Sequence, residues 1–144
     1  MKQRILSWVN ARQGTKLTQS QDPVNEVYEW TEGTAQSVTL IFPANDNDHA
    51  VLSIGINIDQ SVRIQINGLQ SGDKKNVIGS ILREMAQTSL VAYNVHLDST
   101  QTPDKVLFTA NIYEGGLNQN YFMDKTVALR SQALRFLNFV SSLF

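Results

Sequence analysis

Apolar side chains along this chain fall into two spacings, one helical and one strand-like. The longest helical stretch is C-terminal. Phe122, Met123, Val127, Leu129, Ala133, Leu134, Phe136, Leu137, Val140, Leu143 and Phe144 recur at three- and four-residue intervals. The stripe is wide enough to pack on a sheet and predicts an amphipathic helix running to the last residue. Before it, residues 105–113 alternate, with Val106, Phe108, Ala110 and Ile112 on one face. The turn Glu114-Gly115-Gly116-Leu117 joins the two.

In chain order, residues 1–13 read as a short helix carrying Ile5, Leu6, Trp8 and Val9, with Gly14 as its stop. Residues 15–23 are polar and predict a loop. Residues 24–30 alternate weakly, as a strand or an extended arm. A β-branched run at 37–42 is closed by Pro43, and Asn45-Asp46-Asn47-Asp48 has the composition of a turn. Residues 51–58 place Leu52, Ile54, Ile56 and Ile58 on one face. After a turn at 59–61, Val62, Ile64 and Ile66 alternate with Arg63, Gln65 and Asn67, which predicts a third strand in an antiparallel meander with one wet side. Ser71 and Asp73 are candidate N-caps of a second helix marked by Val77, Ile78, Ile81, Leu82, Met85 and Ala86, ending near Ser89. Period two returns at 90–97, with Val91, Tyr93, Val95 and Leu97 on the apolar face, and a loop at 98–104 leads to the last strand. The expected order is α-βββ-α-ββ-α. That is an α+β domain with an antiparallel sheet of about five strands and helices largely on one face.

Composition narrows the class. At 144 residues, 42% hydrophobic and 17% charged, one domain with a real core is expected across 1–144. No apolar run approaches the length of a membrane span, and residues 5–9 are too short for the apolar region of a secretory signal, so a cytoplasmic protein is expected. With no cysteine, thiol catalysis and thiolate metal sites are excluded. A net charge of −1 gives no pull toward nucleic acid or membrane. From Asp22 to Asp59 there are seven acids and no Lys or Arg, read as a solvated acidic rim.

Ile112-Tyr113-Glu114-Gly115-Gly116-Leu117-Asn118-Gln119-Asn120-Tyr121-Phe122-Met123 forms a strand ending in an aromatic, a Gly-Leu turn and a polar helix start with an aromatic-Met pair. With Trp8 and the element order, it resembles a family of uncharacterised prokaryotic proteins. These share the type III secretion chaperone-like fold with the YbjN-like proteins. The resemblance implies that fold and a homodimer; activity does not follow from it.

Candidate chemistry is sparse. His49 lies beside Asp46 and Asp48, but the Gly and distal Glu of a calcium loop are missing, and His96 has no Cys or second His nearby. No serine sits in a G-x-S-x-G elbow, and Gly115-Gly116 belongs to neither phosphate-binding pattern. No catalytic, metal or cofactor residue is therefore assigned. Lys74 and Lys75, at the start of the second helix, are candidates for contact with an acidic partner, the 22–59 stretch of a second copy included. The breadth of the last helix makes Phe136, Phe139 and Phe144 the candidate protein-interface residues. The expected function is a non-enzymatic protein-binding or chaperone-like module that forms a homodimer. The alternative is a small-molecule-binding domain or enzyme with a pocket between sheet and C-terminal helix.

Overall fold

The computed structural model describes residues 1–87 and 91–144. Among them run α1 (Lys2–Asn10), β1 (Thr15–Ser20), β2 (Glu26–Glu32), β3 (Val38–Phe42), β4 (His49–Asn57), α2 (Gln60–Asn67), α3 (Ser71–Ala86), β5 (Ala92–Leu97), β6 (Pro103–Tyr113) and α4 (Gln119–Ser141). The class is α+β, with one antiparallel sheet in the order β1-β2-β3-β4-β6-β5. Six strands replace the expected five or so, and the order becomes α-ββββ-αα-ββ-α. The expected helix end near Ser89 and strand start at Leu90 lie outside the described residues. The chain forms two compact units, Met1–Ile54 with Thr109–Arg130 and Gly55–Phe108 with Ser131–Phe144.

In the first unit, β1 to β4 pair with their sequence neighbours, in registers such as Leu17↔Trp30, Tyr28↔Leu40 and Leu40↔Leu52. Trp30, Val38, Leu40, Phe42, Ala50, Leu52 and Ile54 are buried on the face these registers share. Phe122 of α4 stacks on Trp30 at 6.1 Å and meets Trp8 of α1 at 5.9 Å. Ile5 and Val9, one helical turn apart, bury the inner side of α1. That helix ends at Asn10 rather than at residue 13, and Gly14, at φ 78°, turns the chain into β1 instead of capping the helix. Thr15–Ser20, expected as loop, is an edge strand. One rim of the core carries an ion cluster. Glu32 accepts from Arg12 Nε at 2.9 Å and Arg130 Nη1 at 3.1 Å. The Arg130 guanidinium lies 4.6 Å from the centre of the Trp30 ring. Burial opposes ionisation of Glu32, but the two arginine hydrogen bonds prevail and its carboxyl sits below the ordinary value.

In the second unit, residues 62–67 are helical. Ile66 is fully buried, Val62 half-buried and Ile64 largely exposed, so the 62/66 spacing of one helical turn prevails over the 62/64/66 alternation. Gly68 to Gln70 separate α2 from α3, which buries Ile81 and Met85. Neither Ser71 nor Asp73 caps α3; Gln70 holds the cap position without a side-chain hydrogen bond. Phe136 of α4 packs edge-on against Phe108 of β6 at 5.8 Å. Arg135 bonds Glu84 at 2.8 Å and Gln87 at 2.7 Å, tying this part of α4 to the end of α3.

At its start, α4 has the cap the sequence provides: Asn118 Oδ1 accepts from the Tyr121 N–H at 2.9 Å. The preceding turn holds Gly116 at φ 80°, a conformation that costs a side chain about 1 kcal/mol. The helix stops at Ser141, three residues short of the expected end. Val127 and Leu134, assigned to the buried stripe, are exposed.

Candidate protein-binding surface

The β5–β6 hairpin is fixed at its turn and open along its outer strand. Asp98 accepts from the Thr100 N–H at 2.8 Å, the Thr100 hydroxyl, Arg63 Nη2 at 2.8 Å and the Thr102 N–H at 3.1 Å. The Thr100 hydroxyl and the Arg63 guanidinium hold the Asp98 carboxyl well below the usual carboxylate range. Thr102, fully buried, donates to Asn67 Oδ1 at 2.6 Å. Arg63 and Asn67 lie on α2, so the turn is clamped to that helix. Gln101 takes the left-handed position of the turn, at φ 62°.

From this anchor β5 runs along the edge of the sheet. The Asp98 N–H donates to the Thr102 carbonyl at 2.9 Å. By the alternation of an antiparallel ladder, residues 92, 94 and 96 point their backbone groups toward β6, while residues 93, 95 and 97 point theirs outward. Tyr93, Val95 and Leu97 share one face and Ala92, Asn94 and His96 the other. Tyr93 is 40% and Leu97 41% exposed, and Val95 alone in the strand is half-buried. The expected apolar face of this strand is therefore real but only partly covered: Val91 is buried, Val95 half-buried, and Tyr93 and Leu97 keep an exposed margin. His96 Nδ1 and Asp104 Oδ1 are 2.6 Å apart across the hairpin. Between Ala92 and Leu97 there is no Lys, Arg, Asp, Glu or Pro, the residues that ordinarily protect a sheet edge from pairing. The opposite edge, β1, carries Lys16.

The expected interface residues separate. Phe136 is completely buried against Phe108, Phe139 is half-buried and Phe144 is half exposed. Phe136 is thus a core residue with no surface to offer a partner; only Phe144 is openly displayed. Lys74 bonds the Thr100 carbonyl at 3.2 Å, and Lys75 is exposed.

Two hollows bear on the pocket alternative. A cavity of about 160 Å³ lies between the end of β4, Val62 and α4, lined by Ile56, Ile58, Phe136 and Val140 with Asp59. This is where a pocket between sheet and C-terminal helix was expected, and it is smaller than the 300 Å³ or so of ordinary ligand sites. A larger one, about 460 Å³, lies in the first unit among Lys2, Glu26, Phe42, Pro43, Asp46 and His49. Its charged lining is internally matched. Lys2 Nζ bonds both Glu26 oxygens at 2.8 and 2.9 Å, and Tyr28 donates to the same carboxylate at 3.2 Å. The hydrogen bond to Glu26 raises the Lys2 ammonium pKa, and the same bond lowers that of Glu26. His49 stacks on Tyr113 at 5.0 Å with Nε2 2.8 Å from Asn111 Oδ1 and Nδ1 3.9 Å from Asp46. Among the described residues, no three His, Asp or Glu side chains converge as metal ligands, and no helix is long and apolar enough to cross a membrane.

Comparison with known proteins places the sequence. A family model described as "Uncharacterized conserved protein (DUF2299)" matches residues 1–140, and the chain belongs to that family. It is similar to the crystal structure of an uncharacterized protein from Methanothermobacter thermautotrophicus. That likeness has a TM-score of 0.88 and 13% identity, over 99% of this chain and 98% of that one. At such identity it establishes the fold alone. No curated protein matches.

Proposed function

We propose that this member of the DUF2299 family is a non-enzymatic protein-binding module, and that it works as a homodimer in the manner implied by its resemblance to type III secretion chaperone-like folds. One observation carries the reading. The edge strand β5 displays Tyr93 and Leu97 to solvent beside outward-pointing backbone groups, with no charge or proline in the strand. Such an edge has unspent hydrogen-bonding capacity and an apolar flank, the two elements of recognition by strand addition. The phenylalanines of α4 contribute less to the reading than the sequence implied, because Phe136 is buried.

Light scattering on a sizing column, run as a dilution series, tests the homodimer. The expected result is a dimer mass at high concentration falling toward 16.1 kDa on dilution. A mass of 16.1 kDa at every concentration refutes it. The cavity of about 460 Å³ favours a second reading, a small-molecule-binding domain. That reading requires a ligand able to compete with the Lys2–Glu26 ion pair, and Glu26→Gln should then change ligand affinity.

A further inference from the structure

Resting on the small-molecule reading, we infer that the hollow of the first unit takes an organic cation, a primary ammonium carried on an apolar body. The hollow measures about 460 Å³, within the roughly 300–1,000 Å³ of ordinary ligand sites. Three segments wall it: the start of α1, the β1–β2 connection with the first residue of β2, and the chain from Phe42 to His49. Its lining holds one lysine, Lys2, against two carboxylates, Glu26 and Asp46. The amine of Met1, also in the lining, faces Glu114 at 3.5 Å and is matched there.

The sign of the ligand follows from this imbalance. A ligand that competes with the Lys2–Glu26 pair must replace one of its members. Replacing Glu26 takes an anion, which would meet the negative charge of Asp46 in the same hollow. Replacing Lys2 takes a cation, which gains the field of Asp46 as well as the carboxylate of Glu26. Asp46 has an oxygen to spare. Its Oδ1 accepts from the Asp48 N–H at 2.9 Å, while Oδ2 is 3.9 Å from His49 Nδ1, too far for a hydrogen bond. The exchange asks little of the protein. The Lys2 and Glu26 side chains are 35% and 45% exposed, so theirs is a surface pair of small net value, and the released ammonium turns to water. Glu26 keeps a cation throughout, and the Tyr28 hydroxyl still donates to it at 3.2 Å. The rest of the lining sets the apolar body. Phe42, met edge-on by Tyr28 at 5.9 Å, lies beside Pro43, and Val24 stands 63% exposed. Covering that surface adds affinity that a bare ammonium lacks.

Benzylamine, benzyl alcohol and benzoate share a ring and differ in charge, so together they separate sign from fit. Each is titrated into the isotope-labelled whole chain at neutral pH and followed by amide chemical shifts, which also report that each variant is folded. Benzylamine should shift amides of residues 24–26 and 44–49 and bind at least about threefold tighter than benzyl alcohol, with benzoate weakest. Glu26→Gln and Asp46→Asn should each weaken benzylamine about threefold and leave benzyl alcohol unchanged. Asp22→Asn, in the β1–β2 connection but outside the lining, should leave both unchanged. Benzoate binding tightest, benzylamine no tighter than benzyl alcohol, or benzylamine undiminished by Asp46→Asn overturns the cation while the small-molecule reading stands. Shifts in this hollow from none of the three overturn both.

Discussion

Glu32 joins two arginines at the rim of the first unit, and removing its charge alone should destabilise that unit. Its carboxylate, 17% exposed, is shared by Arg12 and Arg130. Glu32→Gln keeps the shape and removes the charge. A hydrogen bond to a charged group contributes about 1.5–3 kcal/mol when shielded. The Arg12 link is discounted to about 0.5 kcal/mol because that side chain is 43% exposed. The Arg130 link is not discounted so far, since Arg130 is 19% exposed. Two further guanidinium nitrogens of Arg130, Nε and Nη2, have no partner within the protein, so losing the acceptor leaves a half-buried cation poorly paired. The sum is a loss of about 2 kcal/mol. Both tryptophans, Trp8 and Trp30, lie in this unit, so urea unfolding followed by tryptophan fluorescence reads it directly. The midpoint should fall with the slope unchanged. Adding Arg130→Met to Glu32→Gln removes the stranded cation and should restore at least half of the loss, about 1 kcal/mol. A single-variant loss under about 0.5 kcal/mol, or no recovery in the double variant, refutes the reasoning.

Three further outcomes are expected. Ile66→Ala should cost about 2–5 kcal/mol and Ile64→Ala almost nothing, as judged from denaturant midpoints; equal losses would mean the segment is a strand with one buried face. Phe136→Ala should cost about 3–5 kcal/mol of stability, whereas Phe144→Ala leaves the midpoint within about 0.5 kcal/mol. Asp98 has a lower pKa folded than unfolded, so its contribution is complete above about pH 4 and is lost as pH falls below that. Thermal unfolding of Asp98→Asn should therefore vary less than wild type between about pH 5 and about pH 3; parallel profiles would show that the Asp98 cluster adds no acid sensitivity.

Where burial follows one clean period, the sequence is legible. Ile54 and Ile56 in β4, Val106, Phe108, Ala110 and Ile112 in β6, and Phe122, Leu129, Ala133, Phe136 and Val140 in α4 all lie where their spacing placed them. Misreadings arise where two periods coincide or burial is partial. Val62, Ile64 and Ile66 satisfy both a strand and one helical turn, and only Ile66 finds a core. β1 is an edge strand whose half-buried side chains are Thr15, Leu17 and Ser20, too polar to announce a buried face. The same ambiguity hid the candidate site. The alternation through Tyr93, Val95 and Leu97 was visible, but alternation alone does not say whether a strand lies inside a sheet or along its rim. That depends on strand order, set by pairings between residues far apart in sequence. Phe136 failed as an interface residue for the converse reason. A broad apolar arc on a helix is also what a helix needs when it packs on both a sheet and a neighbouring helix, as α4 does through Phe136 and Arg135.

The makeup of the first unit has a consequence for how the chain folds. Its tryptophan core closes only when Phe122 arrives, and Arg4 reaches Glu114, Arg12 reaches Met123 and Arg130 reaches Glu32. Each of these contacts joins residues about a hundred positions apart. Loops of that length close slowly, and such non-local contacts make for slow folding. During synthesis at about 5–20 residues per second, the β1–β3 meander waits several seconds with Trp30 uncovered. For that interval the nascent chain carries apolar strand surface that the finished fold buries.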